Sequence, residues 1–112
     1  MEINFYKHNS VKKPQIRITK DGIATINYAA FELFGGTDFR YALIGISICG
    51  LYGAIKINND DGYKLSAKGK HGRVKSFTAR LAIKKYRMFG VYDCWKDEDL
   101  LLFNLRGNAK ED

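Results

Sequence analysis

An α+β fold is predicted: a small β-barrel-like sheet made of two pseudo-repeated strand-turn-strand-helix-strand units, with helices against its ends. The chain of 112 residues makes about one domain and is long enough for a single core without disulfide or metal staples. Alternating apolar residues recur between Gly-bearing turns, the period-2 signature of short antiparallel strands. A faint internal repeat supplies the helices. Asp21-Gly22-Ile23-Ala24-Thr25-Ile26-Asn27 leads into an apolar helical stretch ending at Phe34-Gly35. His71-Gly72-Arg73-Val74-Lys75-Ser76 leads into a longer one ending at Phe89-Gly90. The two units are expected at about 15–57 and 62–105 of one domain (1–106), and 107–112 as a flexible tail.

Ile3 and Phe5 alternate with polar neighbours and predict a short first strand over 3–6. Pro14 ends a connector, because it has no ladder donor. Residues 15–19 alternate, with Ile16 and Ile18 on one face and Arg17 on the other. Lys20-Asp21-Gly22 is a tight hairpin signal, and 23–26 return as a strand. Asn27 is a good N-cap for a helix over 28–34, which Gly35 or Gly36 stops. Strands follow over 39–48 and 54–57, then a polar turn at 58–62. Tyr63, Leu65 and Ala67 alternate with Lys64, Ser66 and Lys68, which predicts a half-buried strand with a basic outer face. Ser76 is placed to cap a helix over 77–89, with Phe77, Leu81 and Met88 on one stripe and Arg80, Lys84 and Arg87 on another. Strands over 91–95 and 100–105 close the domain around the acidic turn Lys96-Asp97-Glu98-Asp99.

Composition narrows the function classes. An apolar fraction of 46% and a charged fraction of 28% are those of a soluble globular protein. The longest uncharged stretch, 41–55, is too short to span a bilayer, and Met1 to Lys7 lacks the apolar run of a secretory leader. A cytoplasmic protein without membrane contact is expected. Cys49 and Cys94 belong to no CxxC and have no nearby His, so they are read as buried, reduced thiols. No nucleophile motif, HExxH, P-loop or EF-hand spacing is present, and His8 and His71 fall in the N-terminal segment and a turn. The expectation is a protein that is not an enzyme and uses no cofactor and no metal. Gly69-Lys70-His71-Gly72 is a GxxG, but it lies between strands rather than before a helix, where a KH loop needs it.

Charge gives the better lead. Formal net charge is +7. From Gly62 to Tyr92 there are nine Lys or Arg and no Asp or Glu, whereas faces that only need solvation usually mix signs. Lys64, Lys68, Lys70, Arg73 and Lys75 fall on strands and the turn between them, and Arg80, Lys84 and Arg87 on the predicted helix stripe. Facing one way, they form a cationic surface for phosphates. Tyr63, Tyr86 and Tyr92 lie among them and are candidates for base stacking or for core.

Arg17-Ile18-Thr19-Lys20-Asp21-Gly22-Ile23-Ala24-Thr25-Ile26, a short helix ending Leu33-Phe34-Gly35, then Asp38 and a strand, resembles the AbrB/MazE/SpoVT swapped-hairpin DNA-binding domain. The resemblance covers about residues 15–48 and, more loosely, 63–105. It departs from the family at Asn27, where proline is common, and at Thr37-Asp38, where Gly-Asp is common. It implies duplex DNA as partner and a transcription-regulator or antitoxin role. It nominates Arg17 and Lys20 in the first unit and Lys68 and Arg73 in the second, with Arg40 as an addition. Two units in one chain can form the barrel internally, so monomer and homodimer both fit. On this reading, changing Arg73 and Lys75 to Glu abolishes binding and leaves the domain folded. The alternative is a protein-interaction or assembly module whose basic face docks an acidic partner, with the strand over 3–6 available to extend a partner's sheet.

Overall fold

The computed structural model describes residues 13–68, 73–80, 85 and 87–105 of the chain, and only the backbone of Lys68. The fold is mostly antiparallel β, a nearly closed barrel-like sheet, and the α+β expectation is overturned. The strands are β1 (Gln15–Ile18), β2 (Ile23–Ile26), β3 (Tyr41–Ile46), β4 (Tyr52–Asn58), β5 (Tyr63–Lys64), β6 (Ser66–Lys68), β7 (Val74–Thr78), β8 (Gly90–Asp97) and β9 (Leu100–Asn104). The single complete helix among the described residues is α1 (Tyr28–Glu32). The expected first strand over 3–6 and the tail over 107–112 lie outside the described residues.

The first hairpin forms as its residues dictate. Ile16 and Ile18 face Ile26 and Ala24 across the ladder, and all four are buried. Asn27 caps α1: its Oδ1 accepts from Ala30 N at 3.0 Å and from Gln15 N at 3.0 Å. Its Nδ2 donates to Lys13 O at 2.8 Å. One side chain thus satisfies an orphan helix donor and fixes the chain entering β1. Ala30 and Phe31 plug α1 into the core.

The sequence places 73–75 in a strand and 77–89 in a helix, and both ends of that helix depart from the expectation. Val74–Thr78 is strand, and Ser76 is no cap: it is buried in β7, opposite Thr25 on one side and Ser66 on the other. Arg87 has φ 53°, and residues 87–89 are not helical. Arg80 and Lys85 are helical, while 81–84 and 86 lie outside the described residues. The cause is tertiary. β2 offers an edge to which β7 pairs at four positions, from Ile23↔Thr78 to Ile26↔Lys75. That ladder holds Phe77 and Thr78 in a strand despite the cap signal at Ser76, a local preference worth well under a ladder of hydrogen bonds.

Strand order runs β5-β3-β4-β9-β8-β1-β2-β7-β6. β5 and β6 stand at opposite ends of that order yet are separated in sequence by Leu65 alone. The segment 63–68 therefore acts as one broken strand that closes the ring. Opposite it, β8 bends across both halves, pairing with β1 over 90–93 and with β9 over 94–97. Taking 63–68 as one strand, the ring order is unchanged when β1, β2, β3 and β4 are exchanged with that strand, β7, β8 and β9. What repeats is strand order. Hairpin register repeats too: Ile16 pairs Ile26 and Ser66 pairs Ser76, each residue 50 places on (16 to 66, 26 to 76).

The core runs through both halves, from Ile16, Ile26 and Phe31 to Ile55, Tyr92, Leu101 and Phe103. Tyr92 and Phe103 pack with ring centroids 5.0 Å apart. Gly53 in β4 exists for that packing: a Cβ there would lie 2.3 Å from the Phe103 ring. Cys94 is buried as expected, but Cys49 is exposed in the β3–β4 turn, because Ser47 and Gly50 close that turn outside the barrel.

Candidate anion-binding cleft

The break at Leu65 creates the site. Tyr63-Lys64 pairs with β3, while Ser66–Lys68 pairs with β7, so the segment changes partner strand within one residue. Leu65 itself is buried and donates its N–H to Arg40 O at 2.8 Å. Its burial between exposed Lys64 and Ser66 corrects the expectation of an evenly half-buried strand, since Tyr63 and Ala67 are exposed as well. Beside the break lies a cleft of about 440 Å³ lined by Phe39, Arg40, Tyr41, Lys64, Leu65, Ala67 and Lys75.

Each wall has a cause. Lys64 stands directly opposite Tyr41 on the β5–β3 ladder. Ala67 stands opposite Lys75 on the β6–β7 ladder. Arg40 is held by its backbone: its N–H donates to Asn58 O at 3.2 Å and Asn59 Oδ1 at 2.9 Å. Asn59 Nδ2 in turn donates to Asp38 O at 3.3 Å. Phe39 is wedged by Phe31 and Phe34, with centroids 6.4 and 6.3 Å away.

Lys75 differs from the other cations. Register places it with Ile26 and Ala67, on the side of β7 that carries Phe77, and it is half-buried. Its ammonium donates to Thr37 O, and to Phe39 O at 2.9 Å. It therefore ties the connection from α1 to β3 onto β7. Lys75 is therefore not a solely solvent-facing cation. An ammonium has three donors, so one remains beyond the two carbonyls.

The other predicted site residues are dispersed. Arg17 is exposed on β1 opposite Thr25 and Val91. Lys20 is exposed in the β1–β2 turn, its Nζ 5.8 Å from the Phe89 ring centroid. Arg80 is exposed and lies against that turn. Gly22 has φ 93°, and a Cβ there would fall 2.9 Å from Arg80 Cα. Arg87 is exposed two residues before Phe89, and Asp21 shares the same turn. Arg73 is exposed at the start of β7, its guanidinium 5.3 Å from the Tyr28 ring centroid. Lys68 belongs to β6 opposite Val74, and Lys70 and Lys84 lie outside the described residues. With 87–89 non-helical, Arg87 does not share a helix face with Arg80. Of the tyrosines proposed for stacking, Tyr92 is core and Tyr63 covers Phe77 at 5.9 Å, while Tyr86 lies outside the described residues.

The cleft thus unites Lys64 and Lys75 with Arg40, and among the described residues no carboxylate lines it. Lys56 and Asp99 form an ion pair elsewhere, at 3.4 Å and well exposed, which contributes little. Among the described residues no group of three or more His, Cys, Asp or Glu is placed to hold a metal ion. No described helix is long and apolar enough to cross a membrane. Tyr41 and Phe39 carried no sequence signal as cleft walls, because only the ladder and the α1–β3 connection bring them beside Lys64. No protein-family model matches the chain, and no curated protein or solved structure matches it either.

Proposed function

We propose that this protein is a non-enzymatic nucleic-acid-binding module. The observation that carries the reading is the cleft where Arg40, Lys64 and Lys75 converge with no carboxylate among the described residues that line it. Three like charges around one cavity repel each other in the free protein, and a bound anion relieves that repulsion. Exposed Arg17, Lys20, Arg73, Arg80 and Arg87 extend the positive field around the barrel. Such a field recruits a polyanion at long range, with duplex DNA as the first target to try and regulation of transcription as the corresponding role.

The test is binding of labelled duplex DNA, single-stranded DNA and RNA over a salt series. Three to five phosphate contacts give a log-log salt slope of roughly −2 to −4.5, with non-specific Kd of roughly 10⁻⁴–10⁻⁶ M at physiological salt. Absence of binding to all three at low salt refutes the reading. Saturable capture of an acidic protein in place of nucleic acid would assign the basic face to protein docking instead.

A further inference from the structure

We propose that the cleft beside Leu65 is a nucleotide site, taking one phosphate on Arg40, Lys64 and Lys75 and one base on the face of Tyr41. The proposal rests on the nucleic-acid reading for the source of that nucleotide, a strand rather than a free monomer. Size permits it, since about 440 Å³ lies within the ~300–1,000 Å³ of small-ligand sites. The charge set fits a phosphate group. Arg40 offers a planar fork suited to two phosphate oxygens, Lys64 a mobile point charge, and Lys75 its remaining N–H.

The aromatic wall selects a nucleotide over an acidic peptide. Phe39 is occupied by Phe31 and Phe34, and Tyr63 by Phe77. Tyr28, Phe34 and Phe89 each lie under a cation, from Arg73, Lys96 and Lys20. Tyr41 is half-buried, lines the cleft beside Lys64, and pairs with no other described ring. A carboxylate side chain offers no aromatic face to such a ring, whereas every base has one. The cleft also leans on a fixed frame. The backbone of Arg40 is clamped through Asn58 and Asn59, and that of Phe39 through Lys75, so binding has side chains to order but not the frame.

Adenosine 5′-monophosphate, inorganic phosphate and a labelled single-stranded 12-mer are titrated into the full chain, four single variants and one double variant. Arg40→Ala and Lys64→Ala are expected to weaken the monophosphate and the 12-mer tenfold or more. Tyr41→Leu is expected to weaken the monophosphate at least fivefold and inorganic phosphate less than twofold, the split that separates base stacking from charge. Lys56→Ala, which removes a surface ion pair, serves as control and changes neither. Matched urea midpoints for the exposed Arg40 and Lys64 variants keep the comparison on folded protein. Strand binding that survives Arg40→Ala/Lys64→Ala unchanged overturns the cleft assignment while the nucleic-acid reading stands. Monophosphate binding that depends on the cleft, without binding of any strand, supports the nucleotide site and refutes the nucleic-acid reading.

Discussion

Lys75 and Arg73 lie two residues apart at β7 and are interchangeable by composition, yet the structure predicts opposite consequences for losing them. Lys75→Met keeps the length of the stem and removes two charge-assisted hydrogen bonds, to Thr37 O and Phe39 O. Such bonds contribute ~1.5–3 kcal/mol each when well shielded. Lys75 is half-buried, so water can recover part of the loss, and about 1 kcal/mol per bond is the reasonable figure. The expected cost is therefore about 2 kcal/mol, or a fall of ~1 M in urea midpoint at an m-value of ~2 kcal/mol/M. Arg73→Met removes only an exposed guanidinium over Tyr28, which at an exposed site contributes ~0.5–1 kcal/mol. Lys75→Glu is worse than Lys75→Met, because a carboxylate then faces two carbonyl oxygens. The double change to Glu at 73 and 75 thus unfolds or distorts the domain and cannot serve as a clean test of binding. Urea unfolding followed by fluorescence of Trp95 and by circular dichroism measures both variants. Equal midpoints for Lys75→Met and Arg73→Met would refute the anchoring role.

Asn27→Ala loses the helix cap and two further bonds, and is expected to lower stability by ~2 kcal/mol. Asn27→Asp keeps the acceptor and should recover more than half of that; equal loss in both variants would remove Asn27 Oδ1 from the explanation. Gly53→Ala places a methyl within the Phe103 ring and is expected to cost ~1–3 kcal/mol by overpacking, read as a lower thermal midpoint. A neutral Gly53→Ala would mean that the ring shifts freely. The two thiols should separate in reactivity. The Ser47 side chain, bonded to the Cys49 sulfur, holds the Cys49 thiol below its usual range, while burial and then the Asp93 charge push Cys94 up to about 12. At pH 8 a thiol reagent should modify Cys49 promptly and Cys94 only on unfolding. Because the folded pKa of Cys94 is raised, its contribution to stability is complete below about 9 and is lost as pH climbs toward about 12. Two fast thiols in the native protein, or stability flat across that window, would contradict this.

The sequence by itself determined the elements whose signals are local. The β1–β2 hairpin follows from alternating Ile16 and Ile18, the Lys20-Asp21-Gly22 turn and returning Ala24 and Ile26, because a period of two and one Gly at positive φ leave few alternatives. Asn27 declared itself as a cap for the same reason, and the barrel-like character followed from many short strands between turns. The positive charge without acids over 62–92 was also plain, since it needs only counting. Tertiary structure decided the rest. Ser76, Phe77 and Thr78 read as a cap and the start of a helix, and the edge of β2 drew them into a strand. The same pairing turned Lys75 inward, which a pattern of apolar alternation cannot show because a cation occupies an interior position. Closure of the ring across Leu65 set Lys64 beside Tyr41 and brought Lys75 and Arg40 to the same cleft from separate stretches of chain. Charge is a property of composition, but whether cations converge, pair with carbonyls or spread over solvent is fixed by strand register and by where the barrel closes.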